Sequence, residues 1–362
     1  MTTTTGAALP VTNTLTAGKL PTATPWLLLV ASWIVMGVIF GLLMMADVTA
    51  DFNIVGTIFF GTVLFVIVLT VISRLYEGVR RSRDRMVTSL VSLAFIIALL
   101  PLISLLFTTI VNGAKRFDLT FFTFTMRNIV GEGGGGLHAI MGTLQITGLA
   151  TLISVPIGLL TAIYLVEYGR GPFARAITFL VDVMTGIPSI VAGLFAFAFF
   201  ALLTGVAGIR FGLGGAVALS ILMIPVVVRS TEEMLKLVPN ELREASFALG
   251  VPKWLTIVKV VLPTSIAGIT TGVMLAIARV IGETAPLLII AGFTQSMNYN
   301  MFNERVMTLP VFVYTQYANP GSDAQAYLDR AWTGALTLIL IVMLLNLAAR
   351  VIARIFSPKL GR

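Results

Sequence analysis

The 362-residue chain contains no cysteine and a single histidine, His138. The first absence excludes disulfides, thiolate metal sites and thiol nucleophiles. The second leaves too few imidazoles for a histidine metal cluster or a histidine-centred triad. Charge is scarce as well: 11% of residues are Asp, Glu, Lys or Arg, against about 25% in a soluble domain. What is there instead is apolar, with 57% hydrophobic residues and a mean hydropathy of +0.99. Such a composition excludes a soluble enzyme and a disordered chain, and it describes an integral membrane protein. The net charge of +8 does not point to nucleic acid, because the 24 Lys and Arg lie between apolar runs, where they orient spans in a lipid bilayer.

Residues 1–25 are rich in Thr and Ala, with Lys19 the only charge and no basic stretch ahead of the first apolar run. That pattern predicts a disordered cytoplasmic tail rather than a cleaved signal peptide. Eight segments then have the length and apolarity of a membrane span of about 20 residues: 26–45, 54–73, 87–110, 139–165, 177–203, 213–229, 265–291 and 332–353. The least certain by length is 213–229, which follows Gly212, Gly214 and Gly215. With the N-terminus inside, 17 of the 24 basic residues fall on inner segments and six (Lys115, Arg116, Arg127, Arg210, Arg305, Arg330) on outer ones. Both termini are therefore expected to be cytoplasmic. The predicted fold is an all-α integral membrane protein with three regions. Residues 26–85 form an accessory hairpin closed by a charged loop from Tyr76 to Arg85. Residues 86–362 form the working domain, with long polar connections at 111–137, 230–263 and 292–331.

The connection 230–263 is amphipathic rather than coil-like. Pro239 and Asn240 precede a helical run Glu241–Leu249 that ends at Gly250, a C-terminal glycine position. Pro252 opens a second helix that runs to Leu262-Pro263. A helix, a glycine turn and a helix lying under a membrane domain make sense as a knob that inserts into a partner.

The spacing Glu244-Ala245-Ser246, three residues, Gly250, nine residues, Val260-Val261-Leu262-Pro263 resembles the EAA loop of ABC importer permeases, with Ser246 in place of the usual second alanine and Val260 in place of isoleucine. The phrases Tyr164–Arg170, Ile187–Phe195, Pro225–Arg229 with Thr231–Leu235, and Gly282–Leu288 are similar to the PstA family of phosphate-importer permeases. The resemblance runs from about Gly133 to Arg354, so it leaves the hairpin 26–73 outside a six-helix permease core. It implies a multi-pass subunit of a bacterial plasma-membrane importer that performs no covalent chemistry. Its partners would be a homologous second permease, a homodimeric ATP-binding subunit that holds the ATP and Mg, and an extracytoplasmic phosphate-binding protein. No cofactor is expected in this chain. The residues Glu244, Ala245, Ser246, Gly250, Leu262 and Pro263 would couple it to the ATPase.

Charges inside the spans mark a transport path, because each costs roughly 2.5–3.5 kcal/mol by insertion scales. Arg279 and Glu283 stand four apart on the seventh segment, a spacing that places them on one helix face. They read either as a static ion pair or as a substrate gate in which Arg279 binds phosphate oxygens. Glu283 would then accept the proton that phosphate carries near neutral pH and sulfate lacks. Arg229 reads as a positive-inside anchor or, through the family resemblance, as a third path residue. Asp182 is expected to pair with Arg175 or another inner base. The run Gly131–Gly136 lacks a phosphate-loop ending and reads as a flexible outer linker, with His138 beside it at the interface. Gly142, Gly148, Gly158, Gly193 and Gly272 suit close helix packing. Three other readings stay open: the same machine carrying molybdate, tungstate or sulfate, an ion-coupled secondary carrier using Glu283 and Asp182, and a purely structural subunit.

Overall fold

The computed structural model describes residues 20–46 and 51–356. The chain forms two compact units that divide between Leu105 and Leu106. The expected tail lies outside the described residues up to position 19. From Leu20 onward the chain is placed: the Leu20 N–H donates to Glu77 at 2.9 Å.

In the first unit, α1 (Thr24–Met45) packs on α2 (Ile54–Tyr76). Asn53 caps α2 by accepting from the Gly56 N–H at 2.7 Å. The charged stretch after α2 is not the loop that its polarity suggests. Only Glu77 and Gly78 (φ +87°) form the turn, and Arg80 to Arg85 are already the first turns of α3 (Val79–Gly113). Glu77 closes the corner: its side chain, 1% exposed, accepts from Arg85 Nε at 2.6 Å and Arg85 Nη2 at 2.9 Å, and from the Ser73 hydroxyl at 2.8 Å. Chiefly through the Arg85 bond, and despite burial, its carboxyl is held down at about 2.

The second unit begins in the last turns of α3. A 3-10 turn (Ala114–Arg116) and α4 (Leu119–Thr123) follow, and then α5 (Leu137–Ile163), which continues into a π-helical turn (Tyr164–Tyr168). Next come α6 (Pro172–Thr185), α7 (Ser189–Thr204) and α8 (Gly212–Lys236), then α9 (Asn240–Ala248) and α10 (Lys253–Thr256). A second π turn (Ile257–Val261) leads to α11 (Leu262–Val280), α12 (Ala285–Ile290), α13 (Leu309–Ala318) and α14 (Ala324–Phe356). Among the described residues, seven helices are long and apolar enough to cross a membrane, or eight if the bent pair α6–α7 counts as one.

The short, glycine-rich segment turns out to be the hub. In α8, 67% of the apolar window is buried, against 33% or less in every other span. A helix surrounded by protein needs small residues more than it needs lipid-facing length. It packs on α5, α6, α7, α11 and α12. Of the five glycines expected at helix contacts, all but Gly148 meet a neighbour: a Cβ on Gly158 would come within 2.7 Å of Val227, and one on Gly272 within 2.4 Å of Ser230.

Three segments depart from the expectation. The span 177–203 is two helices bent by 110°, because Pro188 forces Ile187 out of the helical region after the Gly186 cap. The second helix of the 230–263 connection does not stop at Leu262-Pro263. It runs through the π turn into α11, making one helix from Lys253 to Val280; Pro263 cannot donate to Lys259, and the wider turn absorbs that loss, with the Leu262 N–H donating to Ile257 five residues back. Finally, the glycine run 131–136 is clamped rather than a flexible linker. Arg330, wholly buried, donates to Gly131 O at 2.7 Å and Gly133 O at 3.0 Å, and Arg116 donates to Gly134 O at 3.0 Å. His138 is buried against the Phe312 ring.

Candidate functional site

The sequence-expected residues fall into two groups, one formed by Arg229 on α8 with Arg279 and Glu283 about the end of α11, and one on α9, α10 and the start of α11. Arg279 occupies the last turn of α11, where a cation complements the helix dipole. The expected shared face with Glu283 does not exist. The helix ends at Val280, Gly282 sits in a turn, and Glu283 lies on the link to α12 with its N–H donating to Val280 O at 3.1 Å. No ion pair within 4 Å joins Arg279 to Glu283 among the described residues, and Arg279 has no hydrogen-bond partner there. Its side chain is exposed and that of Glu283 is half-buried. The static pair is therefore absent. What replaces it is an unpaired guanidinium and an unpaired carboxylate on the two sides of a helix break.

Arg229 is in a different condition. Its guanidinium bonds Asp182 on α6, and Nη1 bonds Glu232 at 2.8 Å one turn along α8; Glu232 in turn holds Lys236 at 2.7 Å. Asp182 thus pairs with Arg229 on α8 rather than with Arg175. Gly272 of α11 abuts Ser230, next to Arg229, and Arg279 lies seven residues further. At 1.5 Å per residue that sets the two arginines roughly 10 Å apart along the helix axes.

The second group is built on a frame that the sequence did not reveal. Gly250 adopts φ +74° with open space around its Cβ direction, so it serves the turn and not a packing contact. Ser246, buried, shares a 2.8 Å hydrogen bond with the Thr256 hydroxyl and joins α9 to α10. Arg243 is the anchor of the group. It donates to Glu167 Oε1 at 2.9 Å, to Val238 O at 2.6 Å and to Leu235 O at 2.9 Å. Lys253 bonds the Glu167 carbonyl and lies 4.9 Å from the Tyr168 ring centroid. Arg243 and Glu167 are 13% and 7% exposed at the side chain, so this pair is shielded from screening. Glu244, Ala245, Phe247, Leu249 and Trp254 face outward. Leu262 and Pro263 are part of the helix that leads to Arg279. Glu167 lay within a phrase already noted for its family resemblance, but nothing in the spacing tied it to Arg243, 76 residues away.

Residues 154–362 match the family described as "Binding-protein-dependent transport system inner membrane component". Among curated proteins, the phosphate transport system permease protein PstA 1 of Mycobacterium tuberculosis (strain CDC 1551 / Oshkosh) is 46% identical over 278 residues, covering 75% of this chain and 89% of that protein. The phosphate transport system permease protein PstA of Haemophilus influenzae is 41% identical over 274 residues, covering 75% and 94%. Two solved structures share the fold. A chain of a bacterial alginate ABC transporter bound to its periplasmic protein has a TM-score of 0.55 at 14% identity, covering 80% of this chain and all of that one. A chain of the inward-facing MetNI methionine ABC transporter has a TM-score of 0.51 at 22% identity, covering 61% and 96%.

Proposed function

The chain belongs to the binding-protein-dependent inner-membrane transport family, and from that premise we propose how it carries inorganic phosphate into the cytoplasm through Arg229, Arg279 and Glu283. It is a multi-pass permease subunit of an ABC importer and not itself an enzyme. The observation that carries the reading is the exposed, unpaired Arg279 at the α11–α12 break, on a spanning helix of a chain whose curated relatives are phosphate permeases. An unpaired guanidinium in a span is costly unless a ligand or water-filled path meets it. Two phosphate oxygens match its fork.

Glu283, across the break, accepts the proton that distinguishes phosphate from sulfate. It also lowers the local positive potential so that phosphate leaves again. Arg229, held between Asp182 and Glu232, is the inner station, where phosphate must compete with two carboxylates and is therefore passed on. A cytoplasmic ATPase docks on the outward residues of α9 and α10. Its closure moves α9, and Arg243 and Lys253 transmit the motion to Glu167 and the inner ends of α5 and α8. The ATPase is a dimer that holds ATP and Mg, the second permease is homologous, and a phosphate-binding protein delivers cargo to the outer loops. Both termini face the cytoplasm, the arrangement that the inner excess of basic residues favours.

The test is uptake of labelled phosphate, molybdate and sulfate in cells lacking this chain, complemented with wild type, Arg279→Ala or Gly250→Trp. The expected result is restoration of phosphate uptake alone by wild type, and failure of both variants at normal membrane levels. Restoration of another oxyanion instead would overturn the cargo, and normal transport by Gly250→Trp would overturn the ATPase coupling.

A further inference from the structure

Beyond the far end of α12, two arginines share a surface with no carboxylate paired to either. Arg210 precedes α8 by two residues, and Arg305 lies on the connection after α12. Gly292, with φ +80°, brings them together: a Cβ there would stand 3.1 Å from Cδ of Arg210 and 3.1 Å from Cγ of Arg305. Both stems therefore pass over one glycine. The backbone fixes this placement, with the Phe211 N–H donating to Ile290 O at 2.9 Å and the Val306 N–H donating to Ala291 O at 3.1 Å. Neither guanidinium has a hydrogen-bond or ion-pair partner among the described residues.

The two arginines open onto a cavity of about 350 Å³ that is also lined by Thr294, Ser296, Asn298 and Glu304. Asn298 is committed to the loop itself, donating to Asn303 O at 2.8 Å and Arg305 O at 3.2 Å. Glu304 holds φ +61°, a region that non-glycine residues rarely adopt, and among the described residues it closes no ion pair within 4 Å. Both arginines are exposed, and two like charges whose stems cross one glycine repel each other, a repulsion that an anion bound by both relieves. A lone carboxylate in the same cavity disfavours a fully deprotonated dianion relative to one that brings a proton to share.

We propose that this cavity binds a protonated oxyanion of the phosphate class, with Arg210 and Arg305 on its bare oxygens and Glu304 accepting its acidic proton. It rests on the phosphate reading above and deepens it: the cavity is an outer station, reached from Glu283 through α12 and the turn at Gly292. Residues from two separate loops build it, so capture here also reports whether those loops are in register.

The test uses the full chain in lipid nanodiscs. The rate of phenylglyoxal modification at Arg210 and Arg305 is followed by peptide mass spectrometry, with inorganic phosphate, with sulfate and with neither, and exposed Arg127 serves as the unprotected control. Phosphate should slow modification at both arginines and leave Arg127 unchanged. Arg210→Gln should cost about tenfold in the phosphate concentration needed to protect Arg305, and Arg305→Gln the same at Arg210. Sulfate should protect less well than phosphate, and Glu304→Gln should remove that difference. Protection at Arg279 without protection at Arg210 and Arg305 would overturn the outer station and leave the transport reading standing. Equal protection by sulfate in the wild type would overturn the role of Glu304 and with it the phosphate class. Protection by the extracytoplasmic binding protein but not by phosphate would make the patch a protein contact and overturn the proposal. If phosphate protects both arginines while complemented cells fail to take it up, the cavity stands and the import reading falls.

Discussion

Glu77 shows what one side chain can do where two helices meet. Its carboxylate receives Arg85 in a fork, the Ser73 hydroxyl and the Leu20 N–H, and its carboxyl is held at about 2 against an ordinary 4.5. Between those values the native state binds fewer protons than the unfolded chain. The stabilisation is therefore complete above about pH 4.5 and is lost as the pH falls towards 2. Glu77→Gln leaves Arg85 without its counter-charge and should cost about 3 kcal/mol at pH 7. Thermal melting followed through the tryptophans of α1 should show that deficit at neutral pH and a shrinking one below pH 4.5. A deficit that does not change with pH would mean that packing, and not charge, is lost. None of this was legible in the sequence, where the arginines around Glu77 read as an orienting charge cluster. Positive-inside counting sees the sign of a residue and not its partner. Arg330 was misplaced for the same reason: counted as an outer loop charge, it is a buried clamp whose partners are backbone carbonyls, which carry no sequence signature.

At the scale of elements, α9 and the start of α10 were legible almost to the residue, although the end of the second helix was not. Proline, glycine and helical spacing are local signals, and the turn at Gly250 is local chemistry. Its φ of +74° with nothing near the Cβ direction makes a sharp prediction. Gly250→Asn should retain most phosphate uptake, because Asn visits the left-handed region, whereas Gly250→Val should lose it, with a backbone cost of about 1–2 kcal/mol. Equal uptake in the two variants would show that the turn is not what matters. Where the elements end was less legible. The α6–α7 bend and the α11–α12 break both fall in apolar stretches that hydropathy joins into single spans. The Gly-Ile-Pro-Ser run 186–189 was a usable signal for the first, and Gly282 a weaker one for the second. The hold of Arg243 on Glu167, Leu235 and Val238 spans elements distant in sequence and had no signal at all. Arg243→Ala removes a shielded pair and two carbonyl bonds, and should lower stability by about 3–5 kcal/mol. In cells that still place the chain in the membrane, phosphate uptake should fall further than its abundance. A fall in strict proportion to abundance would make Arg243 a fold residue only.

Across the whole molecule, the charged groups that we propose as stations follow one another along α8. The cavity of Arg210 and Arg305 lies by the start of α8, Arg279 and Glu283 stand at the break beside its middle, and Arg229 sits near its end, with the coupling helices attached beyond. The carboxylates paired to each cation set the innermost apart: among the described residues Arg210, Arg305 and Arg279 have no carboxylate partner within 4 Å, and Arg229 has two. If phosphate moves inward, the innermost site is then the weakest, which is the order that release requires. Asp182 is the adjustable element in this arrangement, because it reaches Arg229 from α6 and is 57% exposed at the side chain. Its bond is therefore screened and contributes no more than about 1 kcal/mol. Asp182→Asn should leave the fold intact and free Arg229 to hold phosphate longer. The expected result in transport assays is a fall in both KM and maximal rate, each by about two- to fivefold, the change that such an energy permits. Arg229→Gln in the same chain should cancel the fall in KM, because the cation that was released is gone. If Asp182→Asn changes neither parameter, Arg229 is an inner-surface anchor, and phosphate leaves the bundle directly from Arg279.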